Sequence, residues 1–596
     1  MFQSFGVTAR PEQGPPRLSA LRVELEAEGL DGFLVPRADA HQGEYVAAHD
    51  ERLAWLTGFT GSAGFSAALK DTAGVFIDGR YRTQVKAQVA SAYTPVPWPE
   101  VQLGDWLKEQ LPQGGIVGFD PWLHTPGQIA QVEAALTDTG IEMRRVANLV
   151  DRIWDDQPAP PLAAAKVHPL EFAGESHEAK RKRLGKALQD AGQQGAVITL
   201  PDSICWLLNI RGADIPRNPV VHGFAVLHAT GAVDLFMAVA KLTGLADHLG
   251  ADITVHAPDT LLAHLDTLTG PVRLDKSTLP VIIADHLGEG AVWGDEPCAL
   301  PKACKNEAEI EGSVQAHLRD GAALCELLAW LDAQAPGSLT ETQVVSQLEA
   351  CRRKDNALQD ISFETIAGTG PNGAIMHYRV TTETDSTLQD GQLIVLDSGG
   401  QYLDGTTDIT RTIPIGTPPL EAQQAFTRVL AGMIGMSRLR WPVGLAGRDI
   451  EMIGRLPLWL AGQDFDHGLG HGVGAYLSVH EGPQRLSKIS HVPFEPGMIL
   501  SNEPGYYREG AFGIRIENLL VVRPAPDLPG GDAHRAMLQW QTLSFAPIDR
   551  RLILADMLDG AARDWLNAYH LEVAEKIGPR LSPDAKLWLD AATAPL

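Results

Sequence analysis

The stretch LIVLDSGGQYLDGTTDITRT, residues 393–412, predicts two β-strands that each carry one aspartate. The first arm, LIVLDS, is a short apolar, β-branched run, the second arm alternates, and the GGQYLDG between them is typical of turns. Because side chains alternate along a strand, Asp397 shares a face with Val395, and Asp408 shares a face with Thr410. If the register pairs these two faces, both carboxylates lie within reach of one bridging metal ion.

Two carboxylates this close constrain the chemistry of the hairpin. Buried acids cannot both stay ionised unless cations neutralise them, so the pair suggests either bound metal or a shared proton. The alternative is that Asp397 and Asp408 are unrelated surface aspartates beside a turn. The hairpin taken alone leaves these readings open.

A second acidic hairpin is predicted in MILSNEPGYYREGAFGIRIENLL, residues 498–520. Glu503 is expected to end its first strand and Glu517 to lie inside the next one, with the Pro-Gly pair after Glu503 forming the turn. Arg515 precedes Glu517 by two residues, which places it on the same strand face. There it either hydrogen-bonds metal-binding carboxylates from behind or forms an ion pair without a catalytic role.

The segment between the hairpins, DHGLGHGVGAYLSVHEG, interleaves His467, His471 and His480 with glycines that leave room around an ion. It is not the helical H-E-x-x-H zinc motif, since Gly-Leu-Gly separates the first two histidines and the glutamate is missing. Any one of these histidines alone is more often structural than a ligand. Four acids together with histidine in one region favour a metal site.

The motifs DSGGQYLDGTTDITRT, HGLGHGVG, SNEPGYY and GIRIEN, in this order, resemble those of the pita-bread metallopeptidases and, among them, the aminopeptidase P (Xaa-Pro aminopeptidase) family. The resemblance implies a site for two divalent metal ions with five ligands, namely Asp397, Asp408, His471, Glu503 and Glu517. Four carboxylates and one imidazole form an oxygen-rich set that favours Mn²⁺, although Zn²⁺ or Co²⁺ can also occupy such a set. In the family, a hydroxide that bridges the two ions attacks the peptide carbonyl.

The same resemblance implies roles for further side chains. Glu503 would be both ligand and general base, while His377, in GTGPNGAIMHY, and His480, in VHEGP, would stabilise the oxyanion and orient the substrate. His467 would line the pocket on the proline side. The chain departs from close relatives directly after Tyr378, where Arg379-Val380 replaces Ala-Pro in a loop that faces the substrate.

The function that the resemblance implies is hydrolysis of the amino-terminal Xaa-Pro bond of peptides with proline at the second position. One alternative is a prolidase, which cleaves Xaa-Pro dipeptides with the same ligand set. The other is a non-catalytic pita-bread module that binds peptides or proteins. A duplicated amino-terminal region disfavours the prolidase, and retention of all five ligands disfavours the binding module.

The duplication is visible in the order of signals along the first half of the chain. GAVITLPD corresponds to GFLVPRAD, ICWLLNIRG to RLAWLTGFTG, and GAVDLFM to AGVFID, which pairs Trp206 with Trp55. In the first copy, residues 18–29 predict a helix that begins at a Ser19 cap and ends at Gly29. Chance similarity among apolar runs is the alternative, but the matched order favours duplication.

The predicted fold class is α/β (α+β), with four successive parts. Two creatinase-like α/β domains come first, followed by the pita-bread catalytic domain and an extension whose Trp565, Tyr569, Val573 and Ile577 form an apolar stripe at helical spacing. The predicted boundaries are 1–155, 156–304, 305–545 and 546–596.

Composition argues against several classes of partner. The net charge of −25 argues against nucleic acid as a partner, and the longest basic run, KRKR at 180–183, is predicted to be a solvated helix face. No apolar run reaches the length of a membrane span, and the first residues lack the apolar core of a secretory signal, so a cytoplasmic location is expected. The five cysteines lack CxxC spacing and are expected to be reduced. The family resemblance adds the expectation of a homodimer.

Overall fold

The computed structural model describes residues 1–532 and 534–596, which divide into two units. The amino-terminal unit comprises Thr8–Leu170 and Glu175–Ala299. The carboxy-terminal unit comprises Met1–Val7, Glu171–Gly174 and Leu300–Leu596.

The first half of the chain contains two successive sets of strands and helices. The first set is β1 (Gly32–Pro36), β2 (Phe65–Leu69), β3 (Ala73–Ile77), β4 (Thr94–Pro97), β5 (Gly115–Phe119) and β6 (Ile141–Arg145), with α1 (Gly14–Ala27), α2 (Arg52–Thr57), α3 (Gln84–Gln88), α4 (Leu103–Gln110), α5 (Pro126–Ala135) and α6 (Leu149–Ile153). The second set is β7 (Lys166–Val167), β8 (Gly195–Ile198), β9 (Ile210–Arg211), β10 (Phe224–His228), β11 (Val233–Phe236), β12 (Ile253–His256), β13 (Val272–Leu274) and β14 (Ala291–Trp293), with α7 (Leu170–Ala173), α8 (His177–Asp190), α9 (Pro201–Leu208), α10 (Ala246–Leu249), α11 (Leu261–Leu265) and α12 (Val281–Leu287).

The two large sheets of the amino-terminal unit have the same topology. Their strand orders are β4-β3-β2-β1-β5-β6 and β12-β11-β10-β8-β13-β14. In each, the central strand pairs antiparallel with the strand on one side and parallel with the strand on the other, and the two outermost pairs are parallel. Trp55 and Trp206 lie in the equivalent helices α2 and α9. The predicted duplication is confirmed.

Two local predictions for this unit were wrong in part. Helix α1 begins at Gly14, so Ser19 lies inside it and donates to Pro15 O (3.0 Å) instead of capping the helix. Its end at Gly29 is as predicted, because Gly29 has φ of +64° and Leu30 N donates to Leu25 O (2.9 Å).

The basic run at 180–183 is not a uniformly solvated face. Lys180 and Arg181 are buried, because α8 packs on α9 through that side of the helix. Lys180 Nζ donates to Trp206 O and to Asn209 Oδ1, both at 2.9 Å, and Arg181 Nη1 donates to Gly231 O (2.6 Å). The prediction was therefore wrong for the first two residues of the run.

The carboxy-terminal unit contains the remaining elements. The helices are α13 (Ala299–Ala303), α14 (Glu307–Asp332), α15 (Glu341–Arg352), α16 (Leu420–Ser437), α17 (Gly447–Ile450), α18 (Met452–Trp459), α19 (Gly560–Ile577) and α20 (Pro583–Ala592). The strands are β15 (Asp360–Ile361), β16 (Ile366–Thr369), β17 (Leu393–Ser398), β18 (Gly400–Tyr402), β19 (Gly405–Thr406), β20 (Ile409–Pro414), β21 (Arg440–Pro442), β22 (Gly470–Gly472), β23 (Glu481–Leu486), β24 (Ile499–Asn502), β25 (Gly505–Arg508), β26 (Phe512–Arg515), β27 (Asn518–Pro524) and β28 (Met537–Thr542).

Four sheets form the framework of this unit. A three-stranded sheet has the order β16-β17-β20, and a six-stranded sheet has the order β21-β28-β27-β24-β22-β23. Two smaller sheets are β15-β18-β19 and the hairpin β25-β26. Helices α14, α15 and α16 share one large apolar core with these strands and with the tail helix α19, in which Tyr569, Val573 and Ile577 are buried. The apolar stripe of the tail is thus part of the core.

The first acidic hairpin has the register that its alternation predicts. In the pairing of β17 with β20, Asp397 lies opposite Thr410 and Val395 lies opposite Thr412. The segment between these strands is not a simple turn, since it forms β18 and β19, which pair with each other and with β15.

The second acidic region differs from its prediction. Glu503 follows β24 directly, as expected, but the next residues form the separate hairpin β25-β26, with Gly505 opposite Arg515. Glu517 lies between β26 and β27 and is not inside a strand. The chain leaves the hairpin there because Glu517 N donates to Thr410 O (3.1 Å) in β20, which connects the two larger sheets.

Two further expectations concern cysteines and membranes. All five cysteines are free thiols, and Cys205, Cys298, Cys325 and Cys351 are buried.

Within residues 1–532 and 534–596, none of the helices combines the length and apolar character that crossing a bilayer requires.

Candidate metal centre

The structure brings the four acids and one of the histidines together where the two larger sheets meet. Asp397 is in β17 and Asp408 directly precedes β20, while His471 is in β22 and Glu503 follows β24. Glu517 lies at the crossing between β26 and β27. Residues more than a hundred positions apart in sequence therefore converge.

Distances within this cluster match those of a shared ligand set. His471 Nε2 lies 3.4 Å from Asp408 Oδ2 and 3.5 Å from Glu503 Oε1. Asp408, His471 and Glu517 each offer a ligand atom within 4.8 Å of the other two. Glycine allows these approaches, since a Cβ on Gly470, beside His471, would lie 1.9 Å from Ser501 O.

Burial and mutual repulsion set the protonation of the acids. Burial, followed by the charges of Asp397 and Glu503, raises the pKa of Asp408 well above its ordinary value. Burial also raises the pKa of Glu517 well above normal, with the charge of Asp408 as the next cause. The pKa of Glu503 is raised mainly by burial, although His471 opposes the shift. Without cations, this centre retains protons that its carboxylates would lose in water.

Arg515 is the guanidinium that contacts the acids. Its Nη2 donates to Asp397 Oδ2 (2.6 Å), its Nη1 to Tyr507 OH (2.6 Å) and its Nε to Thr410 Oγ1 (3.3 Å). Burial lowers its pKa, but Tyr507, Asp397 and Glu503 outweigh burial and raise that pKa well above the ordinary value. The guanidinium stays charged and holds the Asp397 carboxylate, a contact that both interpretations of Arg515 include.

Hydroxyl groups orient two of the glutamates, and sequence reasoning assigned them no role. Thr410 Oγ1 donates to Glu517 Oε2 (2.8 Å). Ser501 Oγ donates to Glu503 Oε1 (3.1 Å) and accepts from the backbone N–H of His471 (2.9 Å). The sequence signal for Thr410 was its place on the same strand face as Asp408.

His467 is joined to the acids through Tyr507, another residue that sequence reasoning missed although it lies in the SNEPGYY motif. His467 Nε2 and Tyr507 OH are 2.9 Å apart, and His467 Nδ1 is 3.9 Å from Glu503 Oε2. Burial raises the pKa of Tyr507 to about 12, so its hydroxyl remains protonated. His467, Tyr507 and Arg515 thus form one hydrogen-bonded wall beside Asp397.

The structure gives a contact with the centre for His480, whereas His377 is described by its place in the chain. The ring of His480 meets the ring of His471 edge to face, with 4.2 Å between centroids. The next residue, Glu481, is buried and ion-paired with Lys305 and with Lys302 (3.1 Å). His377 is half-buried in the turn that follows residues 370–374, a short helical segment packed on β26.

The departure at 379–380 has a structural counterpart. Arg379 is ion-paired with Glu364 and donates from Nη1 to Gly6 O (2.8 Å) and from Nη2 to Ser4 O (3.0 Å). Val380 is fully buried. This pair therefore ties the loop that carries His377 to the first residues of the chain.

The donor set fits divalent cations. Four largely buried carboxyl groups face one guanidinium, so their full ionisation would leave three negative charges for bound cations to neutralise in a region of low dielectric constant. Asp397 Oδ1 is buried and has no hydrogen-bond partner among the described residues. A buried carboxylate oxygen that accepts no hydrogen bond, beside two acids with raised pKa values, is typical of a site that binds cations.

Comparisons with known proteins agree with this chemistry. Residues 311–524 match the family model described as metallopeptidase family M24, and residues 536–596 match the model of the C-terminal region of peptidase M24. Residues 17–153 and 156–309 match two models of the creatinase/prolidase N-terminal domain.

Curated relatives and one solved structure span nearly the whole chain. Aminopeptidase P2 of Arabidopsis thaliana is 37% identical over 95% of this chain and 86% of its own length. A probable Xaa-Pro aminopeptidase P of Aspergillus niger is 36% identical over 97% of this chain and 98% of its own. The crystal structure of X-prolyl aminopeptidase from Caenorhabditis elegans, described as a cytosolic enzyme with a di-nuclear active site, superposes with a TM-score of 0.93 at 30% identity, covering 98% of this chain and 100% of that one. The chain belongs to the Xaa-Pro aminopeptidase P family of M24 metallopeptidases.

Proposed function

We propose that this chain removes the amino-terminal residue from peptides whose second residue is proline, using two divalent metal ions. The observation that carries the proposal is the convergence of four carboxylates and His471 at the junction of two sheets, with Asp408, His471 and Glu517 within 4.8 Å of one another. Membership of the Xaa-Pro aminopeptidase P family and the di-nuclear site of the worm enzyme support it.

The residues that would hold the ions are Asp397, Asp408, His471, Glu503 and Glu517. Their oxygen-rich composition favours Mn²⁺, with Zn²⁺ or Co²⁺ as substitutes. When bound, two such ions supply Lewis-acid chemistry, which polarises a carbonyl and lowers the pKa of water. Arg515 would keep Asp397 in position through its 2.6 Å hydrogen bond, and Thr410 would do the same for Glu517.

Glu503 is proposed as the group that takes a proton and passes it to the departing nitrogen. A glutamate carboxylate at this position can accept a proton and release it again, and it lies 3.5 Å from His471 Nε2 within the proposed ligand set. The hydrogen bond from Ser501 leaves Oε2 of Glu503 directed away from that hydroxyl. His480 and His377 are proposed to stabilise the oxyanion.

Substrate selection is proposed to rest on shape at the proline and on charge at the amine. The wall of His467 and Tyr507, held by Arg515, offers a rigid surface for a ring with fixed φ. A free amino group carries a positive charge that the acidic centre attracts, whereas an acetylated amine does not.

A prolidase is the second candidate, since it uses the same ligand set. The duplicated amino-terminal sheets and the full-length match to the worm enzyme favour the aminopeptidase. A binding module without catalysis has no observation in its favour, because all five ligand positions are retained.

The experiment compares kcat/KM for Arg-Pro, Arg-Pro-Pro, Arg-Ala-Pro and acetyl-Arg-Pro-Pro with Mn²⁺ supplied. We expect release of arginine from Arg-Pro-Pro and strong loss upon acetylation or upon replacement of the second residue by alanine. A wide preference for Arg-Pro would identify a prolidase. If none of the four peptides is hydrolysed while metal is bound, the result would favour a non-catalytic module that binds peptides or proteins.

The remaining expectations are proposed with the function. The cytosolic description of the worm enzyme supports a cytoplasmic location for this chain. The four-part division at 155, 304 and 545 is proposed to describe its domains. A homodimer is proposed, and light scattering tests it, since a mass near the 64.2 kDa of one chain would contradict it.

A further inference from the structure

A second cluster of metal-binding side chains lies in the amino-terminal unit, on the second of the duplicated sheets. We propose that His228, Asp234 and His264 bind one divalent cation of the zinc type, with His256 holding the aspartate in place. This site is independent of the proposed peptidase centre, which is built from other residues.

The sheet places three of the four side chains on one face. Asp234 in β11 lies opposite Val226 of β10 on one side and opposite Thr254 of β12 on the other. His228 and His256 are each two positions beyond those partners, at the ends of β10 and β12, so both share the face of Asp234. Helix α11, anchored by its buried Leu261 and Leu265, adds His264 from above this face.

All three imidazoles direct the same nitrogen at the single carboxylate. His228 Nε2 is 2.6 Å from Asp234 Oδ2, and His264 Nε2 is 3.2 Å from that same oxygen. His256 Nε2 is 2.7 Å from Oδ1. The ligand atoms of His228, Asp234 and His264 all lie within 4.8 Å of one another, so small shifts of the side chains would bring them around one ion.

A network of hydrogen bonds alone leaves this arrangement incomplete. His228 and His256 each have a hydrogen bond with one oxygen of Asp234, but His264 Nε2 is buried and has no hydrogen-bond partner among the described residues. A buried imidazole nitrogen aimed at a carboxylate without bonding to it costs free energy. A cation at this point would accept the lone pairs of His264 Nε2, of the carboxylate and of His228 Nε2, whose proton would move to Nδ1 or be released to solvent.

Both oxygens of the Asp234 carboxylate face imidazoles, with His228 Nε2 beside Oδ2 and His256 Nε2 beside Oδ1. The rings are also fixed, because Phe236 stacks on His256 at 4.9 Å and meets His264 edge-on at 5.1 Å. Fixed rings reduce the entropy that binding would cost.

Two imidazole nitrogens and one carboxylate oxygen are typical zinc ligands, and three protein ligands leave a fourth tetrahedral position for water. An ion can enter from solvent, since the side chains of His228 and His264 are 28% and 22% exposed. This donor set is richer in nitrogen than that of the proposed peptidase centre, so it favours Zn²⁺ over Mn²⁺.

The test counts zinc in the full-length protein. Wild type, His264→Asn and His286→Asn are stripped with chelator, incubated with Zn²⁺, gel-filtered and assayed for bound metal. His286 is the matched control, because it forms an exposed His–Asp pair with Asp266 (3.3 Å) outside the cluster. We expect His264→Asn to bind one zinc fewer than wild type while its peptidase activity with Mn²⁺ is unchanged, and His286→Asn to match wild type. Equal zinc in all three proteins would overturn the proposal.

A second measurement does not depend on folding of a variant. Crystals of the wild-type protein soaked in Zn²⁺ should show an anomalous difference peak about 2.1 Å from Asp234 Oδ2 and from both Nε2 atoms. A crystal whose peptidase centre is filled but which shows no peak beside Asp234 would also overturn the proposal.

Discussion

Glu503 is the residue that we propose both to bind metal and to carry a proton. Glu503→Gln keeps an oxygen donor at the centre but removes the base, so we expect kcat to fall by roughly 10²–10⁴-fold while much of the metal remains. Bound metal and turnover are measured on the same sample. Glu495→Gln, an exposed glutamate in the same unit, is the control and should behave as wild type. Near-normal turnover of Glu503→Gln would exclude this carboxylate as the base.

Arg515 contacts Asp397, one of the proposed metal ligands, so its replacement tests whether a side chain behind the ligands sets metal affinity. Arg515→Lys keeps the charge but cannot bond Asp397, Tyr507 and Thr410 at once, because an ammonium lacks the planar fork. We expect metal affinity, measured by competition with a chelator, to fall about 10- to 100-fold. Arg508→Lys, an exposed position in the same hairpin, should leave affinity unchanged. An equal loss in both variants would mean that the hairpin, and not the Asp397 contact, is responsible.

The raised pKa values of Asp408 and Glu517 give a pH dependence with a definite sign. In the metal-free protein the folded state binds these protons more tightly than the unfolded state, so the free energy of unfolding falls as pH rises from the ordinary carboxyl range towards the raised values. Urea unfolding of chelated protein between pH 5 and 8 measures this slope. Asp408→Asn should flatten it, and an unchanged slope would show that the centre does not titrate as described.

Among the elements, the β17-β20 hairpin was predictable and the β25-β26 hairpin was not. Alternation of side chains set the first register, which placed Asp397 opposite Thr410. The second depends on contacts that are remote in sequence. A Cβ on Gly513 would lie 1.7 Å from Gly373 O, and Glu517 bonds to β20, so neither the break before Glu517 nor the hairpin is encoded in local pattern.

The tail helix α19 stabilises the centre through Arg411. Tyr569 OH accepts from Arg411 Nη2 (2.9 Å), and Arg411 Nη1 donates to Glu517 O (2.6 Å). Tyr569→Phe leaves a buried guanidinium with one partner fewer, so we expect the free energy of unfolding to fall by about 1–3 kcal/mol. Urea denaturation measures it, with Leu571→Ala, exposed on the same helix, as the control. Equal free energies of unfolding for Tyr569→Phe and wild type would show that the tail does not stabilise the centre through this hydrogen bond.

At the scale of the whole molecule, the order of the motifs and the composition can be read from the sequence, whereas contacts between distant segments cannot. The ligand candidates could be named because the ordered motifs resemble those of the aminopeptidase P family, whereas the first acidic hairpin alone left the role of its two aspartates open. Sequence patterns predicted neither that His467, Tyr507 and Arg515 form one wall nor that side chains cluster around Asp234, since both depend on contacts between separate elements. The duplicated sheets were recognisable because a repeat preserves order over a long range.

The most direct measurement adds Mn²⁺ stepwise to the metal-free protein and follows bound Mn²⁺ and hydrolysis of Arg-Pro-Pro in the same samples. We expect hydrolysis to rise with bound metal and to reach its maximum at two equivalents, and we expect Asp408→Asn to bind less metal and to lose most of the activity. Full hydrolysis without bound metal, or two bound equivalents without any hydrolysis, would contradict the central claim that this cluster of acids is a dinuclear peptidase centre.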